Sequence, residues 1–211
     1  PDHTDEQGNP TYMMCRGKRF VWGARTYVMG VVNISPDSFS GDGIGDDVQA
    51  AVDQARRFEE EGADIIDVGG ESTRAFAGRP QYEPISEDEE LRRVMPVLER
   101  LMSQVSVPVS VDTYKSGVAR RALEAGASML NDIWGLQYDP ALARLAAEYQ
   151  VPMVLMHNQN GLHYDDLVSD VKAVLAKSVN QAVEAGVPSE RIIVDPGIGF
   201  AKRPEDNLQL I

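Results

Sequence analysis

The chain has 211 residues and a formal net charge of −13; 43% of its residues are apolar and 25% charged, enough for one sizeable core in a single globular domain. That charge argues against broad binding to nucleic acid or to an anionic membrane, and no apolar run reaches the roughly 18 residues of a membrane span. A lone cysteine, Cys15, excludes an intrachain disulfide framework and fits a reducing cytoplasm, while the polar N-terminal stretch does not resemble a secretory signal.

Residues 1–11 read as a disordered tail ahead of one domain over 12–211. Apolar and basic residues around Gly17 and Gly23 predict a short hairpin over 12–23. A strand follows over 26–34, an apolar β-branched run that carries Asn33 near its end. Ser35-Pro36-Asp37-Ser38 stops it, because proline has no N–H to donate and serine and aspartate favour turns. The next loop is polar and glycine-rich around one aromatic, Phe39, and Asp46-Asp47 open an amphipathic helix over 48–61 closed by Gly62. A second strand over 64–68 ends in Gly69-Gly70-Glu71-Ser72-Thr73-Arg74. Ser86 and Glu89 predict a capping box for a helix over 87–102.

The same unit recurs. A strand over 107–111 ends at Asp112 before a helix over 116–125, and a short strand over 128–130 ends at Asn131-Asp132 before a helix over 139–149. A strand over 153–156 ends at His157-Asn158, and a long helix runs from about 165 to 185. A strand over 191–194 ends at Asp195-Pro196-Gly197, and Pro204 opens another helix.

Strands alternating with helices predict right-handed βαβ units and a parallel sheet, and unalternated apolar strands fit burial on both faces. Polar groups at strand C-termini suit a doubly wound sheet or a (β/α)8 TIM barrel. The barrel is favoured because all six strands carry them, whereas an open sheet concentrates them at one switch point. A barrel of eight strands takes about 250 residues, so the expectation is a C-terminally incomplete barrel of six units plus the hairpin, with two open parallel edges.

In a barrel, Asp112, Asn131 and Asp195 converge on one mouth. Helix capping could explain each alone, but a buried carboxylate costs several kcal/mol unless it is partnered. Two carboxylates and an amide suit a ligand with several N–H donors, such as an aminopyrimidinone edge. Asn33, Thr73, Arg74 and the glycine loops form a second cluster fit for an oxyanion such as phosphate, with Mg2+ entering on the substrate's phosphates. His157, the only histidine at a strand end, reads as a satisfied core or supporting residue more than a catalytic base. Cys15 lies outside the pattern and reads as structural.

Met29-Gly30-x-x-Asn33-x-Ser35-Pro36-Asp37-Ser38-Phe39-Ser40, the Gly69 to Arg74 stretch, Ser110-Val111-Asp112-Thr113-Tyr114-Lys115, Asn131-Asp132-Ile133 and Asp195 to Lys202 resemble, in order, the motifs of the dihydropteroate synthase family. The resemblance runs from about residue 12 to the end. It implies a cytoplasmic TIM-barrel transferase, usually a homodimer and the target of sulfonamides. The implied reaction joins 6-hydroxymethyl-7,8-dihydropterin diphosphate to 4-aminobenzoate in folate synthesis. It also implies that Asp112, Asn131 and Asp195 hold the pterin, with Met156 and Phe200 beside it. Asn33 would hold Mg2+ on the diphosphate, and Thr73 and Arg74 would meet the anionic end. Phe39, Pro36, Asp37 and Ser38 would lie on a loop closing over the aminobenzoate, and Asp112 and Asp37 are the catalytic candidates.

Two departures stand out. Arg74 is followed by Ala75-Phe76 where the family usually has Pro-Gly, a departure in the loop that the resemblance places near the aminobenzoate. The family's Ser-Arg-Lys-Ser-like and Arg-x-His motifs are absent from the 211 residues, so this polypeptide alone is expected to be catalytically dead or nearly so. Competing readings are a pterin-binding domain of a corrinoid methyltransferase and a pterin-binding fragment without catalysis.

Overall fold

The computed structural model describes residues 4, 5, 8, 10–34, 48–71 and 84–211. Strands β1 (Tyr12–Cys15) and β2 (Lys18–Val21) pair antiparallel, turning through Arg16 and Gly17 at φ 46 and 75. Both central residues are left-handed, as a tight hairpin requires. Of the segment expected to be a tail, Thr4 and Pro10 form an isolated antiparallel bridge; residues 1–3, 6, 7 and 9 lie outside the described residues.

Six further strands make one parallel sheet: β3 (Met29–Asn33), β4 (Ile65–Gly69), β5 (Val109–Asp112), β6 (Met129–Asp132), β7 (Met153–Met156) and β8 (Ile192–Asp195). Helices α1 (Val48–Glu60), α2 (Glu87–Leu101), α3 (Ser116–Glu124), α4 (Ala141–Glu148), α5 (Leu167–Glu184) and α6 (Pro204–Leu210) connect and follow them. The spatial order is strictly sequential, β3-β4-β5-β6-β7-β8. A doubly wound sheet would reverse direction at a switch point. Sequential parallel order is that of a TIM barrel, here six consecutive βα units of one. β3 and β8 are the outer strands, and Val31 on β3 is 43% exposed.

Pleating sorts the strand residues into two cores. Val32, Ile66, Val68, Val111, Leu130 and Leu155 face outward and pack with Val52 and Ala55 of α1, Val94 and Leu98 of α2, Ala119 of α3 and Leu142 of α4. The alternate residues Ile65, Met129 and Val154 face inward, where Met13, Cys15 and Phe20 of the hairpin meet them. The hairpin therefore plugs the N-terminal end of the barrel and gives the interior an apolar floor. Cys15 Sγ lies 3.1 Å from the Ser128 carbonyl oxygen, and burial pushes its thiol pKa up, so it is an inert packing residue.

The structure alters three local expectations. Asp112, Asn131 and Asp195 do not follow their strands but are paired inside the ladders, Asp112 with Asn131 and Asp195 with Met156. Inward-pointing polar side chains leave the backbone free to continue its hydrogen bonds, so the strands run on past the apolar residues. The capping box of α2 is half formed: Ser86 Oγ accepts from the Glu89 amide at 3.2 Å, while the Glu89 carboxylate is taken by Arg92 and Arg93 at 2.9 and 2.7 Å. Finally, α5 starts at Leu167, capped by Asp166, whose side chain accepts from the Ser169 amide.

Candidate functional site

The pairing register sets Asn33, Gly69, Asp112 and Asn131 side by side across β3 to β6. From there it is staggered. Asn131 pairs with Val154, and Asp195 with Met156 one pleat further up. By alternation all of these side chains face inward, over the floor made by the hairpin. Met156 also belongs to an apolar cluster with Tyr114, Ile133 and Trp134, against which Phe200 packs. Met156 and Phe200 are thus brought together as one wall above the polar row.

The polar row is poorly supplied with partners. Oδ1 of Asp112 is buried with no hydrogen-bond partner among the described residues. Burial, and then the nearby negative charge of Asp67, pushes its carboxyl well above the usual range. Asp195 is better satisfied, because its Oδ1 accepts from the Gly197 amide at 2.7 Å. For Asp195 the loop-capping reading and the ligand-binding reading therefore both apply. Asp132, beside Asn131, caps the following turn instead: it accepts from the amides of Trp134 and Leu136 at 2.9 and 2.7 Å. Burial nevertheless raises its pKa to about 6.

Sequence reasoning passed over three supporting groups. Asp67 is an acid inside the apolar run Ile65 to Val68, and its inward phase two residues before Gly69 was the available signal. Lys115 bridges two buried carboxylates, Glu71 and Glu90, at 2.5 Å each, and the Tyr114 hydroxyl donates to Glu71 at 3.0 Å. Glu71 also accepts from the Ile85 amide at 3.4 Å, which ties the end of β4 to the entry of α2. Gly70 is required by the same packing: a Cβ there would come within 2.6 Å of Val94 Cγ2.

The third group is Lys202, which points back under the loop after β8. Its Nζ donates to the Phe200 carbonyl oxygen at 2.9 Å and lies 3.0 Å from His157 Nδ1. Burial lowers the lysine to about 8 and the histidine to about 4. Gly197 closes this loop at φ 73, where a Cβ would meet the His157 carbonyl oxygen at 2.1 Å. His157 is fully buried and contacts Lys202 of the β8 loop through Nδ1, but its Nε2 has no hydrogen-bond partner among the described residues, so it is not the fully satisfied core histidine expected.

Because the folded pKa of His157 is depressed, the unfolded chain takes up the proton first as pH falls. This group therefore removes stability between about pH 6.5 and about pH 4. Asparagine at 157 can place its Oδ1 near the position of Nδ1. The variant His157→Asn is expected to flatten this acid-side loss by up to about 3 kcal/mol, read from urea denaturation at the two pH values. An unchanged pH slope would contradict the assignment.

The remaining expected site residues, Pro36, Asp37, Ser38, Phe39, Thr73 and Arg74, lie outside the described residues. Among the described residues no group of three or more His, Cys, Asp or Glu side chains could hold a metal ion, and no helix is long and apolar enough to cross a membrane.

Acidic and amide groups at strand C-termini, above an apolar floor and beside an apolar wall, define a barrel with a row of hydrogen-bond acceptors at its C-terminal mouth. The description "Pterin binding enzyme" fits residues 29–211, and the chain belongs to that family, within its dihydropteroate synthase members. The dihydropteroate synthase of Bacillus subtilis (strain 168) is 52% identical over 187 residues; the match covers 89% of this chain and 64% of that protein, so the chain spans under two thirds of that relative's length. Xanthomonas albilineans dihydropteroate synthase, solved with 4-aminobenzoic acid, superposes with a TM-score of 0.83 at 44% identity, over 95% of this chain and 71% of that one. The Yersinia pestis enzyme, solved as a sulfonamide drug complex, gives 0.85 at 38% identity, over 94% and 72%.

Proposed function

We propose that these residues form the pterin-reading part of a dihydropteroate synthase, which condenses 6-hydroxymethyl-7,8-dihydropterin diphosphate with 4-aminobenzoate to give 7,8-dihydropteroate and diphosphate. The observation that carries this reading is the buried, unpartnered carboxylate oxygen of Asp112 in register with Asn131. A buried acceptor is costly to leave unmet, and a ring edge with adjacent N–H donors meets it. Asp112, Asn131 and Asp195 would hold that edge, while Met156 and Phe200 cover the ring faces.

In the reaction the bond from the pterin methylene to the diphosphate oxygen breaks, the amine nitrogen of 4-aminobenzoate bonds to that carbon, and the amine loses a proton. Positive charge developing on the pterin methylene is stabilised by the Asp112 carboxylate in a site of low dielectric. Asn33 offers one neutral oxygen ligand, which suits Mg2+ carried in on a diphosphate better than a cation caged by protein. When bound, Mg2+ would supply charge neutralisation to the departing diphosphate. Thr73 and Arg74 would receive the anionic end of the substrates. Asp37, Ser38 and Phe39 would close over 4-aminobenzoate, the place where a sulfonamide would compete. The proposed setting is a cytoplasmic homodimer.

Calorimetry with the pterin diphosphate, with and without Mg2+, tests the reading directly. Binding that tightens in Mg2+ is expected, and no binding in either condition would sink it. Diphosphate release that requires 4-aminobenzoate separates this function from a methyltransferase domain, which would bind the pterin without releasing diphosphate.

A further inference from the structure

Asp67 is 2% exposed and faces the barrel interior from β4, paired in register with Ser110 and one pleat below Gly69 and Asp112. Its Oδ2 accepts from Asn131 Nδ2 at 3.0 Å. Its Oδ1 and the Oδ1 of Asp112 are both buried without a hydrogen-bond partner among the described residues. Two carboxylates on neighbouring strands thus face the same interior, each with one buried oxygen left unmet.

Among the described residues no ion pair joins a cation to either carboxylate. After Asp67, the charges acting on Asp112 are those of Glu90 on α2, Asp132 on β6 and Glu71 after β4, all acidic. Lys115, three residues after Asp112, is already held between Glu71 and Glu90. On β8, Asp195 adds another carboxylate, and Lys202 behind it is engaged with His157 and Phe200. Like charges in a low dielectric cannot both persist, so one carboxyl keeps its proton. Asp67 has the Asn131 amide to stabilise its anion, and among the described residues no donor reaches the buried Oδ1 of Asp112. The proton therefore belongs on Asp112.

We propose that in the ligand-free barrel Asp112 is protonated and Asp67 ionised, and that a ligand presenting N–H donors to Asp112 expels that proton. Asp67 also fixes the amide of Asn131, turning the Asn131 Oδ1 toward the cavity as a further acceptor. The inference rests on the pterin reading above and assigns Asp67 as a positioning residue that acts through Asn131 and through its charge. The balance is simple: the Asp112 O–H proton goes to solvent, the ligand keeps its N–H protons, and the new carboxylate accepts them in hydrogen bonds. The barrel is thereby spared an unpaired second charge while empty and gains an anionic Asp112 only when the substrate is in place.

Asp-selective 13C-carboxyl NMR of the ligand-free chain tests this, with Asp112 assigned by comparison with Asp112→Asn. Asp112 is expected to titrate well above the usual value of about 4, and Asp67→Asn to lower its midpoint by about one pH unit or more. A midpoint near 4 in the unaltered chain overturns the proposal without any variant, as does a midpoint indifferent to Asp67→Asn. Calorimetry with 6-hydroxymethylpterin, in two buffers of different ionisation enthalpy one pH unit below that midpoint, should show release of nearly one proton per ligand. Asp67→Asn should cut this by at least half, and equal release in both proteins counts against the proposal. Failure of the unaltered chain to bind the pterin would count against the pterin reading alone, leaving the carboxyl titration to decide the role of Asp67.

Discussion

Asp112→Ala is expected to weaken pterin binding by about a hundredfold to ten-thousandfold while making the ligand-free protein more stable. The two effects share one cause. Asp112 holds a buried oxygen without a partner, beside Asp67 and facing other acids, so in the empty barrel it costs stability. Bound ligand turns that cost into charge-assisted hydrogen bonds worth about 1.5–3 kcal/mol each, and two of them lost together give the expected range. Calorimetric affinity and a thermal melt on the same preparation check both halves. Unchanged affinity would remove Asp112 from the binding site, and a fall in melting temperature would show that the carboxyl is supported structurally after all. Opposed effects on stability and function are what a site under strain from its own chemistry produces.

The second large effect is structural. Lys115→Met leaves Glu71 and Glu90 buried without their shared cation, and Glu90 is 1% exposed. Breaking a buried ion pair from one side costs about 3–5 kcal/mol, a large share of the stability of a domain this size. Urea denaturation should show the loss, and adding Glu71→Gln with Glu90→Gln should recover most of it, since neutral amides need no counter-charge. If Lys115→Met is nearly neutral, or the double replacement restores nothing, the bridge is not what holds β4, α2 and the β5–α3 turn together. Glu71 also receives the Tyr114 hydroxyl and the Ile85 amide, so local loosening around Gly70 should accompany the loss.

The order of elements was legible because each strand is an apolar run closed by its own polar terminator. The barrel, as against a doubly wound sheet, was legible from terminators following every strand. Individual bounds were less so: Asp112, Asn131 and Asp195 read as loop residues because they are polar, yet they sit inside the ladders. A side chain's polarity tells where it points before it tells where the strand ends. The stagger that lifts Asp195 a pleat above Asn131 is a property of how parallel strands shear against each other, which no single strand encodes. Asp67 was hidden by its apolar neighbours, and the Lys202–His157 and Lys115–Glu71–Glu90 contacts join residues from separate units. Such pairings belong to the closed geometry, not to local pattern. Glu89 shows the converse failure: the spacing from Ser86 fits a capping box, but two arginines one turn further along the helix hold the carboxylate more strongly.

The hairpin that floors the barrel has its seat far away along the chain. Cys15 Sγ meets the carbonyl of Ser128, 113 residues on, and the Arg16 guanidinium caps the carbonyls of Met102 and Val107. Met13 and Phe20 find their apolar neighbours on β4, β6 and β7. During synthesis the plug emerges before the strands it packs against and has nothing to close until β6 and β7 exist. Each βα unit can meanwhile pair with the one made just before it, so the wall of the vessel grows by local steps and its base is the long-range contact fitted late. A stretch made before all six barrel strands is thus among the last to become interior.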